Sequence, residues 1–216
     1  MEAPSRAPST LPPLRLNEPA PDFQARTTCG DVSLKDYRGR WLLLFSHPAD
    51  FTPVCTSEFM AFAKAQDRFE ALDCALLALS VDGLYSHLAW LRDIQEKLGT
   101  RIGFPIIEDP SMAIAQGYGM IATGASDSST VRVTYVIDPE GLVRAMSWYP
   151  MNVGRSIDEL LRLVAALQTA DREHASTPEG WQPGGRLLEP AAVEARQAMQ
   201  IEPAPGETWY YRWRQP

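Results

Sequence analysis

The stretch Trp41-Leu42-Leu43-Leu44-Phe45-Ser46, continuing through His47-Pro48-Ala49-Asp50-Phe51-Thr52-Pro53-Val54-Cys55, decides the fold. Its first six residues are short and apolar up to the closing serine, and they read as a buried strand. Beyond Cys55, the residues Phe59, Phe62, Ala63, Gln66 and Phe69 recur at helical spacing, so the chain to Ala71 reads as a helix. Pro53 suits a first helical turn, where its missing N–H costs nothing. Cys55 therefore falls in the first turn of a helix that follows a strand. Unpaired backbone N–H groups there favour an anion, and the thiolate is the nucleophilic form of cysteine.

Working outward, the elements alternate. Arg15 to Gly30 and Asp31 to Gly39 read as a strand pair with a turn near Cys29-Gly30-Asp31. After the helix from 53 to 71 come a strand at 74–81 and a helix at 84–98, the latter with Leu84, Leu88, Leu91 and Leu98 in an amphipathic pattern. A strand near 104–107 and a short helix at 111–117 follow. Val131 to Ile137 and Leu142 to Tyr149 read as a hairpin around Asp138-Pro139-Glu140-Gly141. Ser156 precedes a helix from Ile157 to about Ala170. The pattern is that of an α/β fold of the thioredoxin-like kind. From Thr177 onward, prolines at 178, 183, 190, 203, 205 and 216 break it into an extended C-terminal extension. The expected division is a flexible arm over 1–14, a thioredoxin-like domain over 15–172, and the extension over 173–216.

Composition narrows the class. The 216 residues suit one large domain or a domain with an appendage, and a hydrophobic share of 45% is enough for a sizeable core. The net charge, 20 − 27 = −7, argues against a nucleic-acid partner or an anionic membrane surface. No apolar stretch approaches the length of a membrane span. Met1 to Pro13 carries prolines at 4, 8, 12 and 13 and no apolar signal core, so a cytoplasmic location is expected. The three cysteines read as thiols rather than as a disulfide framework.

The run Pro-x-x-x-Thr-x-x-Cys, filled by Pro48, Thr52 and Cys55, resembles the active-site motif of the peroxiredoxins. Arg132, opening a strand that ends in Ile137-Asp138-Pro139, is similar to that family's second signature. Ser46-His47-Pro48, His87-Leu88-Ala89-Trp90, Tyr149-Pro150, Gly154-Arg155 and Thr177-Pro178 with Trp181 and Pro183-Gly184 resemble its 1-Cys branch, often called peroxiredoxin 6. The likeness runs from about Leu16 to the C-terminus. It implies a thiol-dependent peroxidase with the peroxiredoxin variant of the thioredoxin-like fold, no cofactor and no metal. A thiolate attacks one peroxide oxygen while the other leaves, and the site must hold both in line and stabilise the moving charge. Cys55 is then the sulfur, and Arg132 the fixed cation beside it. The Thr52 hydroxyl donates to the peroxide and accepts a backbone N–H, and Pro48 keeps water from the sulfur. Glu58 resembles the acidic residue that orients the arginine, Arg155 a second supporting arginine, and His47 the histidine that the 1-Cys branch carries beside the motif. The product is a sulfenic acid on Cys55.

No cysteine follows Cys74, and the region matching the family's resolving cysteine reads Gly180-Trp181-Gln182-Pro183-Gly184-Gly185-Arg186. The resemblance therefore implies reduction by an external thiol, of glutathione, thioredoxin or another type. It also implies a homodimer exchanging C-terminal extensions, which in the family often builds further to rings of ten. Trp181, Leu187, Leu188, Trp209, Tyr210, Tyr211 and Trp213 are too many large apolar groups for a disordered tail. No Gly-x-Ser-x-Gly occurs, so the lipase activity of some animal members is not implied; its serine position falls on Arg40. Two other readings remain beside the peroxidase: a Cys-His hydrolase using Cys55 and His47, and an oligomeric holdase or redox-sensing binding protein. Cys74 reads as core, Cys29 as an ordinary turn thiol, His87 and Trp90 as packing on one helix face, and His174 as solvated.

Overall fold

The structure, a computed structural model, describes residues 13–121 and 127–215. The arm expected over 1–14 lies outside these apart from its last two residues. The chain divides into two compact units, one ending at Ile157 and the other beginning at Asp158. The expected boundary at 172/173 would divide it one helix later.

The first unit holds the strands β1 (Gln24–Thr27), β2 (Gly30–Ser33), β3 (Trp41–Ser46), β4 (Cys74–Ser80), β5 (Ile106–Glu108), β6 (Arg132–Ile137) and β7 (Val143–Tyr149). They form one sheet in the order β2-β1-β5-β4-β3-β6-β7. The central strands β3, β4 and β5 are parallel, and β6 lies antiparallel to β3. The helices α1 (Pro53–Ala71), α2 (Leu84–Leu98) and α3 (Ala113–Gly117) connect them. The second unit follows from α4 (Ile157–Glu173) and contains β8 (Leu187–Leu188), α5 (Ala195–Gln200) and β9 (Trp213–Arg214), with β8 and β9 paired antiparallel.

The bounds of α1 and α2 are those read from the sequence. Pro53 starts α1 behind Thr52, and Gly99, at φ 67, ends α2 in the left-handed conformation that glycine adopts at no steric cost. The N-terminal strand pair is much shorter than expected. Asp36 accepts hydrogen bonds from the backbone N–H and hydroxyl of Ser33, at 2.6 and 3.0 Å, and this turns Leu34–Tyr37 into a 3₁₀ helix where a strand was predicted. The strand expected from Phe104 begins at Ile106, just beyond Pro105, which has no N–H to give to a ladder.

β3 is buried along its whole length because both of its faces are covered. Leu42 and Leu44 join Leu77, Leu79, Ile107, Tyr135 and Val143 in one core. On the other face Phe45 stacks on Phe62 of α1 at 4.2 Å and meets Phe59 and Phe104 edge-on, each at 5.8 Å. Phe45, Phe59, Phe62 and Phe69 are fully buried. Each contributes about 1.5–3 kcal/mol of transfer free energy, so this aromatic layer fixes α1 against the sheet.

Candidate active site

Strand pairing brings the two sequence motifs together. β6 runs antiparallel to β3 with Phe45 opposite Thr134, so Arg132, which opens β6, lies level with the loop that leaves β3. Ser46 joins the two strands: its hydroxyl donates to the Val131 carbonyl at 2.6 Å and accepts from the Val133 N–H at 3.1 Å. The loop then passes through Phe51, held at φ 54, to Thr52 at the helix N-cap. Pro53 has no N–H, and those of Val54 and Cys55 fall in the first turn, where helix geometry leaves them without an intrahelical acceptor.

Four buried side chains meet there: Cys55, Glu58, Arg132 and Arg155. Arg132 Nη1 lies 3.3 Å from Cys55 Sγ and 2.7 Å from Glu58 Oε2. Its Nε and Nη2 both donate to the Met151 carbonyl, at 3.0 and 2.8 Å. Arg155 forks onto the same carboxylate, with Nε 2.8 Å from Oε1 and Nη2 2.8 Å from Oε2, and its backbone N–H adds a third bond of 2.7 Å. Arg155 Nη1 is held by the Val133 carbonyl and the Thr134 hydroxyl.

The other expected residues are placed as follows. Pro48 is buried. Thr52 makes no side-chain cap bond, contrary to the sequence reading; its hydroxyl donates to the Ala49 carbonyl at 2.9 Å, which leaves its oxygen lone pairs free to accept. His47 stands under α1, stacked on Trp90 at 5.3 Å and edge-on to Phe59 at 4.8 Å. It does not pair with Cys55: its Nε2 faces Asp50 at 3.0 Å, and its Nδ1 has no hydrogen-bond partner among the described residues. The nucleophile–base pair that a Cys-His hydrolase needs is not formed.

His87 and Trp90, read as packing, are indeed buried, and both also make polar bonds. His87 is fully buried and hydrogen-bonds Asp50, and the Trp90 indole N–H points to the Thr56 hydroxyl at 3.3 Å. His47, Asp50 and His87 offer ligand atoms within 4.8 Å of one another, but at 2.8–3.1 Å these atoms are already spent on mutual hydrogen bonds. Cys29 is exposed and Cys74 buried, and all three cysteines are free. Burial pushes the Cys74 thiol up to about 12, as suits a core residue.

Burial alone would raise the Glu58 carboxyl; hydrogen bonds from Arg155, the Arg155 charge and then that of Arg132 outweigh it and hold the carboxyl below its ordinary value of 4.5. A carboxyl depressed by folding adds stability that is complete above 4.5 and is lost as the pH falls through the lower folded value. Glu58→Gln leaves two buried guanidiniums without a counter-charge. It is expected to cost about 3–5 kcal/mol in urea unfolding at neutral pH, and to remove this acid-labile share of the stability.

A model of the AhpC/TSA family matches residues 16–146. A peroxiredoxin of Aquifex aeolicus is 54% identical over 170 residues, which is 78% of this chain and 77% of the relative. Among solved structures, a yeast mitochondrial 1-Cys peroxiredoxin superposes with a TM-score of 0.82 at 38% identity, covering 94% of this chain and all of the other. Peroxiredoxin 6 of Arenicola marina gives 0.83 at 31% identity, covering 94% and 99%. The mixed sheet with its helices is thus the thioredoxin-like fold of these proteins. The chain belongs to the AhpC/TSA family and, within it, to the peroxiredoxins, the thiol-dependent peroxidases.

Proposed function

We propose that this peroxidase reduces hydrogen peroxide and organic hydroperoxides on Cys55 by a one-cysteine cycle, in antioxidant defence of the cytoplasm. The observation that carries the reading is the Arg132 guanidinium 3.3 Å from the Cys55 sulfur. Two buried guanidiniums share one carboxylate, which leaves one net positive charge beside the sulfur. The thiolate attacks one peroxide oxygen; the S–O bond forms as the O–O bond breaks, and the second oxygen leaves as alkoxide or hydroxide and takes a proton. Arg132 and the first-turn N–H groups line the path of that charge, the Thr52 oxygen, whose own proton goes to the Ala49 carbonyl, accepts from the peroxide O–H, and Pro48 limits water. An external thiol then attacks the sulfenic sulfur, releasing water and leaving a mixed disulfide, which a second thiol reduces. Glu58, Arg155 and His47 support this arrangement without reacting.

The positions of the other cysteines favour an external reductant. Cys74 pairs in register with Trp41, at the far end of β3 from Ser46, roughly 17 Å down the strand at about 3.3 Å per residue. Cys29 lies in the β1–β2 turn, three strands from β3 and so roughly 14 Å to the side. Both are beyond disulfide reach of a thiol at the start of α1. The yeast relative is itself described as resolved through glutathione and thioredoxin systems. Among the described residues no helix is long and apolar enough to cross a membrane.

The assembly we propose is a homodimer built through the C-terminal extension. Trp181 and Leu187 are buried, whereas Trp209, Tyr210 and Tyr211 remain 44%, 59% and 41% exposed. A second copy is the partner that covers such a cluster at least cost in new surface design, and two-fold symmetry is the default.

Cys55→Ser is expected to abolish peroxide consumption, while Cys29→Ser and Cys74→Ser retain it. One equivalent of peroxide should add a single oxygen to the intact mass, trapped by dimedone on Cys55. A disulfide from Cys55 to Cys29 or Cys74 as the main product would overturn the one-cysteine cycle. Arg132→Ala should slow Cys55 oxidation by about 10²-fold or more in stopped flow, and Arg132→Lys should recover only part of the loss, because a point charge cannot replace the planar fork. For the dimer the measurement is light scattering: the full chain should scatter at twice its 24.0 kDa or a multiple of that, and a monodisperse monomer would refute the assembly alone.

A further inference from the structure

His87 lies outside the peroxidase motif, on α2, yet it is fully buried against that motif's Asp50. Its Nδ1 is 2.8 Å from Asp50 Oδ2 and 3.1 Å from Oδ1, and its Nε2 is 3.2 Å from the Ile107 carbonyl. A carbonyl oxygen and a carboxylate only accept. Both His87 nitrogens therefore carry protons, and the ring is a double donor paired with Asp50. Burial by itself would raise the Asp50 carboxyl; the hydrogen bonds from His47 and His87 outweigh it and hold it ionised. The same carboxylate faces His47 Nε2 at 3.0 Å, so that nitrogen is the donor, and burial keeps His47 neutral. His47 Nδ1 is then a bare lone pair, and it has no hydrogen-bond partner among the described residues.

The network also pins the loop that delivers Cys55. The Asp50 backbone N–H donates to Asp82, whose carboxylate accepts from the Ser80 hydroxyl. The Asp50 side chain is held by the two rings. The next residue, Phe51, sits at φ 54 and is 57% exposed, so its own side chain does little to impose a conformation that costs about 1–2 kcal/mol outside glycine. Such a conformation persists where neighbours over-determine it, and Asp50 is the neighbour with four hydrogen bonds.

We propose that His87 is a positioning residue of the peroxidase site: acting as a double donor through Asp50, it fixes both the His47 tautomer and the loop that places Thr52 and Cys55. The inference rests on the peroxidase reading for its kinetic consequence but not for its structural content. The chain has three histidines, so the imidazole ¹⁵N spectrum of the labelled full-length protein is readily assigned. The expected spectrum has both nitrogens of His87 protonated and only Nε2 of His47 protonated; a bare nitrogen on His87, or a protonated His47 Nδ1, overturns the proposal without recourse to any variant. His87→Gln presents a donor nitrogen on one side and an acceptor oxygen on the other, so it cannot donate both to Asp50 and to the Ile107 carbonyl as the ring does. With its circular dichroism unchanged, it is expected to oxidise Cys55 on the order of 10- to 100-fold more slowly and to show His47 in mixed tautomers. A wild-type oxidation rate in that variant overturns the positioning role. Absence of peroxide consumption by the unsubstituted protein would instead sink the peroxidase reading, and the spectrum would still decide the network.

Discussion

One carboxylate holds the site together. Glu58 accepts from two guanidiniums that arrive on different segments, Arg132 from the start of β6 and Arg155 from the loop after β7. Taking three charges out of water costs several kcal/mol per ion, and only close, well-directed hydrogen bonds repay it. Those bonds are present: Glu58 receives four from the two arginines, and the Met151 carbonyl takes up the rest of the Arg132 fork. The result is a cation that cannot swing away from the sulfur. Preorganisation of this kind is what charge stabilisation in a reaction needs, because no reorganisation remains to be done when charge develops.

The same carboxylate ties the chemistry to the core. Glu58 stands on α1 one turn beyond Cys55, and α1 is seated by its phenylalanines on Phe45. The Arg155 guanidinium lies 5.2 Å over the Phe45 ring and 6.0 Å from that of Phe62, so the apolar layer and the ionic group share a boundary. Beneath the loop, His47 continues that layer as an aromatic ring while reaching Asp50 as a polar one. Packing and polar bonding thus fix the same short segment from two sides.

Much of this was legible in the sequence, for identifiable reasons. Pro53 and the Phe59–Phe62–Phe69 spacing fix α1, the motif around Cys55 with Arg132 names two of the four buried side chains, and the family resemblance names the other two, Glu58 and Arg155. What escaped was carried by groups with no residue-type signal or with a misleading one. The Met151 carbonyl is a backbone acceptor that any residue would supply. His87 follows the spacing of an apolar helix face and shares it with Trp90, so periodicity reads it as packing; only the fold brings Asp50 to its ring. Asp36 and Ser33 form a local turn that competes with the strand pattern around them. In the extension, the aromatic count predicts burial on the parent domain or on a partner, but not that Trp209, Tyr210 and Tyr211 stay exposed while Trp181 and Leu187 are buried, nor the pairing of two two-residue strands that no periodicity announces.

The central claim is that Glu58 acts on Cys55 through Arg132. A double-mutant cycle on the rate of Cys55 oxidation by hydrogen peroxide, using Glu58→Gln, Arg132→Ala and the pair in folded protein, tests it most directly. The account predicts that Glu58→Gln slows oxidation in the presence of Arg132 and has little further effect once Arg132 is gone. Two losses that simply multiply would contradict it.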